Sequence, residues 1–213
     1  MSKGLQTRDT ALREALAQAS HVGLKSITIG TLADSLSMSK SGLFAHFRSK
    51  EQLQVDVLDH AADLFTRTVI QPALKEPRGL ERLRALVDLW LGWDGYADWA
   101  MPGGCIFISA TMEFDDEPDG PVRDRLVAQQ QQWFDSLETV VRGAVREGQL
   151  REDLDTLQFA HELYGLMLGH HVASRLLRDP AARERAHTAL DRLIAAAAPA
   201  AAGAPGTGSP VPA

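Results

Sequence analysis

The chain has 213 residues and one cysteine, Cys105, so an internal disulfide is excluded. It holds no apolar run of about 18 residues, so no membrane-spanning helix is expected. Hydrophobic residues at 45% and charged residues at 23% fit a packed globular chain. The net charge of −6 argues against a polyanion as partner of the whole chain, yet residues 1–50 carry seven bases against three acids, net +4, leaving −10 for the rest. A basic N-terminal module can meet a polyanion that an acidic body repels. The N-terminus MSKGLQTRD has no signal-peptide core, and with the lone cysteine this points to the cytoplasm.

Strand signals are nearly absent and the pattern is helical throughout, an all-α chain of about nine helices. A first helix is expected from about Gln6 to Ser20, with Leu12, Ala15, Leu16 and Ala19 on one stripe. Thr28 is placed to cap a short second helix whose Ile29, Leu32, Ala33 and Leu36 share a face. Ser37-Met38 breaks it. Ser39 caps a third helix, Lys40 to Phe47, and Ser49 with Gln52 opens a fourth that runs to Gln71, before Pro72. Helices then follow over about Leu80–Trp99 and Cys105–Phe114. After an acidic loop, Asp115–Pro121, they continue over Val122–Glu147, from an Asp153 cap to Leu177, and from Asp179-Pro180 to Ala198. The remainder is Ala, Pro, Gly, Ser, Thr and Val only and is expected to be disordered.

Three short helices with a tight break between the second and third describe a helix-turn-helix unit, whose third helix enters a DNA major groove. Lys40, Ser41 and Gly42 put short and basic residues where that helix meets the groove, Leu43 and Phe47 pack back, and His46 and Lys50 flank it where phosphates run. The stretch from Thr28 to Leu53 resembles the DNA-binding signature of the TetR/AcrR family of bacterial transcriptional regulators. The resemblance rests on Leu32-Ala33, Ser39-Lys40, the aromatic-x-His-Phe group Phe44, His46 and Phe47, and Ser49-Lys50-Glu51 with Leu53. It departs from the family at Ser37, where a glycine is usual, and at Phe44, where a tyrosine hydroxyl usually reaches a phosphate. The DNA-contacting set it implies is Thr28, Ser39, Lys40, Ser41, Gly42, Phe44, His46 and Lys50.

The resemblance divides the chain into a DNA-binding domain over 1–50, a ligand-sensing and dimerisation domain over 51–198, and a tail over 199–213. It implies a homodimer, a palindromic operator on double-stranded DNA and a small hydrophobic or amphipathic ligand, with no cofactor and no metal. Trp90, Trp93, Phe107, Met112 and Trp133 concentrate large side chains on the helices that line the cavity in such proteins, and Met167 and His170 join them from the eighth helix. Leu163, Leu166, Met167 and His170 on the eighth helix, with Leu190, Leu193 and Ile194 on the ninth, form two apolar stripes that could close a four-helix dimer interface or bury within one chain. Gly165 and Gly169 permit close approach there.

Two rival readings attach to particular residues. Cys105 could make the regulator redox-responsive, although a cysteine in a CIFI run reads as a buried small hydrophobe. Glu113, Asp115, Asp116 and a histidine could serve a helical metal-dependent enzyme, but EFDDEPD lacks the spacing of a calcium loop, and no nucleophile–base pattern or phosphate loop accompanies it. The resemblance implies a repressor that a small-molecule ligand releases from its operator, with an activator as the alternative.

Overall fold

A computed structural model describes residues 3–95 and 101–200. Among them the chain forms no strand and nine α-helices of seven residues or more, besides a single α-helical turn at Gln71–Ala73: α1 (Lys3–Val22), α2 (Ile29–Ser35), α3 (Lys40–Phe47), α4 (Lys50–Phe65), α5 (Leu80–Trp90), α6 (Ile106–Phe114), α7 (Pro121–Arg146), α8 (Thr156–His171) and α9 (Ala182–Ala196). The expected tail over 199–213 lies almost wholly outside the described residues, as does the far end of the helix expected to reach Trp99. The helix itself stops at Trp90, and a 3₁₀ turn follows over Trp93–Gly95, because Gly92 and Gly95 offer the backbone cheaper alternatives to a helix.

Capping sets the register of the N-terminal unit. Thr28 Oγ1 accepts from Thr31 N–H, and Thr31 Oγ1 accepts from Thr28 N–H, a reciprocal box at the head of α2. Ser39 Oγ accepts from Gly42 N–H at 3.1 Å and Ser49 Oγ from Gln52 N–H at 3.0 Å. The end of α2 is a Schellman motif: Met38 N–H reaches Ala33 O and Ser37 N–H reaches Asp34 O, with Ser37 at φ 52°. A left-handed backbone costs an L-residue about 1–2 kcal/mol, partly offset by the lower folding entropy cost of serine than of glycine. Ser37→Gly is therefore expected to raise the stability by roughly 0.5–1 kcal/mol, read as a higher melting temperature at unchanged helicity.

Burial follows the expected stripes. Leu12, Ala15, Leu16 and Ala19 of α1 pack with Leu32, Ala33, Leu43, Phe47, Leu53, Val57 and Ala61 in one continuous core. That core runs on through Leu83, Leu86 and Val87 of α5 into Leu137 and Val141 of α7. Leu163 and Met167 of α8 and Leu190 and Ile194 of α9 belong to it too. These four residues close α8 and α9 onto the chain's own core and are not the face that a partner could meet. The outer side of α8 carries exposed Gly165 and Gly169, followed by Val172 and Leu176.

Three local features had no sequence signal. A 3₁₀ turn, Leu24–Ser26, joins α1 to α2; π-turns extend α4 over Thr66–Ile70 and α8 over Val172–Leu176. The cap of α8 is Asp155, which accepts from Gln158 N–H at 3.0 Å, and not Asp153. Asp155 stands three residues before the N–H it satisfies, whereas Asp153 lies in the turn before it.

Candidate functional site

The outward side of α3 is built from residues that the core does not use. Leu43 and Phe47 are fully buried, and with that side anchored Lys40, Ser41 and Phe44 face outward, Phe44 at 54% exposure. Lys40 leans over Gly30 of α2, where an added Cβ would come within 3.6 Å of Nζ. Ser41 Oγ donates to the capping Ser39 Oγ at 3.3 Å, and Gly42 is held by the same cap. His46 is half-buried beside Phe47. All eight residues of the expected contact set lie on α3 or its N-cap, at the head of α2, or in the first turn of α4.

Ion pairing sorts the basic residues of this region. Arg8 is bound to Asp56 at 2.7 Å and lies over the Phe47 ring, tying α1 to α4. Arg13 pairs with Asp9 and Lys25 with Glu117. Lys40, Arg48 and Lys50 form no ion pair among the described residues, and all three are exposed and cluster at the two ends of α3. Lys50 donates one ammonium proton to Lys25 O at 2.6 Å, which fixes its position and leaves two protons for an anion. Arg48, at φ 59° after α3, joins this group although the motif gives it no role.

The 3₁₀ turn before α2 is a hub between this unit and the body. Glu113, on α6, accepts from the N–H of Leu24 at 2.9 Å and of Lys25 at 2.7 Å through its two carboxylate oxygens. Gly23 makes room for it, since a Cβ there would stand 2.8 Å from Oε1 in a backbone already at φ 92°. Gln54 of α4 donates to Leu24 O at 2.8 Å. Glu113 therefore has a structural partner and is not part of an acidic metal loop. Among the described residues no group of three His, Cys, Asp or Glu converges as a metal site.

The same helix that carries Glu113 lines a cavity of about 200 Å³ in the body. Cys105, Phe107 and Ile108 face it from the start of α6; Phe65, Thr66 and Ile70 from α4 and its π-turn; Gln129, Gln130, Trp133 and Ser136 from α7; Tyr164 from α8. Phe65 is the centre of an aromatic group, edge-on to Trp133 at 5.0 Å and to Trp93 at 5.1 Å, while Trp93 stacks on Phe107 at 5.8 Å.

Of the residues expected around a ligand, Trp90, Phe107 and Trp133 line this cavity. Trp93 is one layer behind them and buried. Met112 lies outside the lining, 64% exposed near the far end of α6, a turn beyond Phe107 and Ile108, which face the cavity. Met167 is buried in the core and His170 is half-buried, and neither is part of the lining.

The sequence reading missed the polar members. Tyr164 donates to Gln130 Oε1 at 3.1 Å, and Gln130 Nε2 donates to Thr111 Oγ1 at 3.2 Å. Burial, and secondarily the neighbouring Cys105, pushes the Tyr164 phenol up to about 12, so it stays protonated. The run Gln129-Gln130-Gln131-Gln132 is the signal that could have found them: four amides on a helix that otherwise alternates charge and apolar residues.

Comparison with known proteins places this architecture. Residues 11–57 match the model of bacterial regulatory proteins of the tetR family, and residues 79–190 match the tetracyclin repressor-like C-terminal domain. The nucleoid occlusion factor SlmA of Marinomonas sp. (strain MWYL1) is 31% identical over 157 residues, covering 72% of this chain and 74% of its own. A TetR-family transcriptional regulator from Cytophaga hutchinsonii superposes with TM-score 0.78 at 19% identity, over 93% of this chain and 98% of that one. AibR, solved in complex with isovaleryl coenzyme A and operator DNA, superposes with TM-score 0.63 at 22% identity, over 89% and 97% of the two chains. These superpositions show a shared fold. With both halves matched in order, the chain belongs to the TetR family of bacterial transcriptional regulators, proteins that bind DNA and are not enzymes.

Proposed function

We propose that this protein is a homodimeric, ligand-responsive repressor acting on chromosomal DNA in the cytoplasm. Lys40, Ser41 and Gly42 read a palindromic operator in the major groove, with Phe44 against base edges or sugars. Thr28, Ser39, His46 and Lys50 seat the helix on phosphates. The observation that carries the reading is α6. Its first turns form a wall of the cavity and its last turn holds the N–H groups of Leu24 and Lys25, six residues and about 9 Å further along the axis. A molecule in the cavity and the approach to α2 thus bear on one rigid element. AibR, of the same fold, is solved holding both a small molecule and operator DNA.

Two recognition helices must meet half-sites roughly 34–36 Å apart. A ligand that favours another separation weakens DNA binding by its differential affinity for the two states. The outer side of α8, with Gly165, Gly169, Val172 and Leu176, offers a close-approach surface for the second copy. For Lys50→Ala we expect roughly tenfold weaker operator binding, and a salt slope of log affinity reduced by about 1 per protomer, measured by fluorescence anisotropy across a salt series. An unchanged affinity and slope would remove Lys50 from the phosphate contacts.

A further inference from the structure

The outward side of α3 carries an apolar patch between its basic ends. Leu43 and Phe47 are buried, Gly42 and His46 are half-buried, and Lys40, Ser41, Phe44 and Ala45 are exposed. Phe44 is by far the largest apolar group among the exposed four and keeps 54% of its surface open. Ala45 continues the patch one residue on, and Ser41 shares Ala45's side of the helix. Lys40, Arg48 and Lys50 flank the patch with positive charge. A polyanion drawn to those cations meets a ring and a methyl group in the middle of the contact.

The chemistry of DNA leaves one good partner for that patch. A phenylalanine ring has no donor for a phosphate, and pressing it on one strips water from a charge without replacing it. Donors and acceptors on the base edges are likewise left unpaired by a ring. The apolar group of the major-groove edge is the C5-methyl of thymine. The direction of the side chain agrees. A helical side chain leans toward the N-terminus and covers the turn before its own Cα. Phe44 therefore overlies the turn of Lys40 and Ser41, the end that a helix-turn-helix unit presents to bases. The Lys40 ammonium is turned aside toward Gly30 of α2, 3.6 Å from where a Cβ there would stand.

We propose that Phe44, with Ala45 beside it, reads the C5-methyl of one thymine in each operator half-site. Phe44 is thus a specificity-determining residue, not an anchor on the backbone. The inference rests on the reading of α3 as the helix that enters the groove, and it names what that helix selects. In a two-fold dimer the two copies of the patch meet two symmetry-related thymines. The contact involves no hydrogen bond, so it is lost when thymine is replaced by uracil, which keeps every base-pairing group and removes the methyl alone. The same methyl is carried by 5-methylcytosine, but an unmodified library lacks that base, and enrichment from such a library assigns thymine.

The test takes the full-length protein through selection from an unmodified random library, then rebuilds the enriched palindrome with uracil at each thymine in turn. Fluorescence anisotropy is expected to find one sensitive thymine per half-site. Uracil there weakens binding about three- to fivefold in one half-site and about tenfold or more in both. Phe44→Ala is expected to bind the unmodified palindrome about tenfold or more weakly and to be indifferent to uracil at that position, the non-additivity that marks a direct contact. A palindrome with no uracil-sensitive thymine overturns the proposal, and this arm does not depend on how the variant folds. An undiminished uracil penalty in Phe44→Ala overturns it too. So does a weakened Phe44→Ala beside a parent indifferent to uracil, which puts the ring on sugars. Each of these results still contains an enriched palindrome, so the regulator reading survives them. Absence of any enriched sequence removes both.

Discussion

Gly103→Ala is expected to destabilise the protein by about 3 kcal/mol or more, a melting temperature roughly 6–12 °C lower by circular dichroism. An added Cβ at Gly103 would lie 1.4 Å from Ser20 O, 2.2 Å from Ser20 C and 2.7 Å from His21 N. All three are main-chain atoms at the C-terminal end of α1, so no rotamer change relieves the overlap. Either the segment before α6 or the last turn of α1 must move, and the DNA-binding unit shares that last turn. Gly120→Ala is the control, since its Cβ would meet nothing nearer than Pro118 O at 3.9 Å. A Gly103→Ala protein as stable as its parent would show that α1 and the head of α6 do not touch as described.

Glu113→Ala is expected to loosen the same junction from the other side. One carboxylate accepts two backbone N–H groups, and hydrogen bonds to a charged group contribute roughly 1.5–3 kcal/mol each. The site is half-buried and water replaces part of the loss, so the expected total is about 2–4 kcal/mol. The amides of Leu24 and Lys25 are then expected to exchange about 30- to 1000-fold faster in native-state hydrogen exchange. Amides of Leu43 and Phe47, in the core of the unit, should change far less. Glu113→Gln should behave almost as badly, because its amide nitrogen turns a donor toward one of the two donors. Unchanged protection at Leu24 and Lys25 would refute the link between α6 and the turn.

The fold was legible wherever helical period and a capping residue agreed. Thr28, Ser39 and Ser49 each stand three residues before the N–H they accept, and the helices they open begin where expected. Ser37 was legible as a strained position because the Schellman geometry at the end of α2 needs φ > 0 whatever residue is there. The cavity was half legible. Large aromatic residues mark the neighbourhood, but Met112 and Phe107 are five apart on one short helix, and only tertiary packing decides which of them faces inward. The Glu113 link was not legible at all. It joins residues 88 and 89 positions apart, and in sequence Glu113 reads as the edge of an acidic loop. Likewise the stripes Leu163–Met167 and Leu190–Ile194 could serve a partner or the chain's own core, and periodicity alone cannot distinguish the two.

The central claim, a two-fold dimer that reads DNA with α3, is tested most directly by selecting bound fragments from a random double-stranded library with the full-length protein at near-physiological salt and sequencing them. The account predicts one enriched palindrome with half-sites about one helical turn, roughly 34–36 Å, apart, lost when Lys40 is replaced by alanine. Retention that is salt-sensitive and shows no enriched sequence would contradict it.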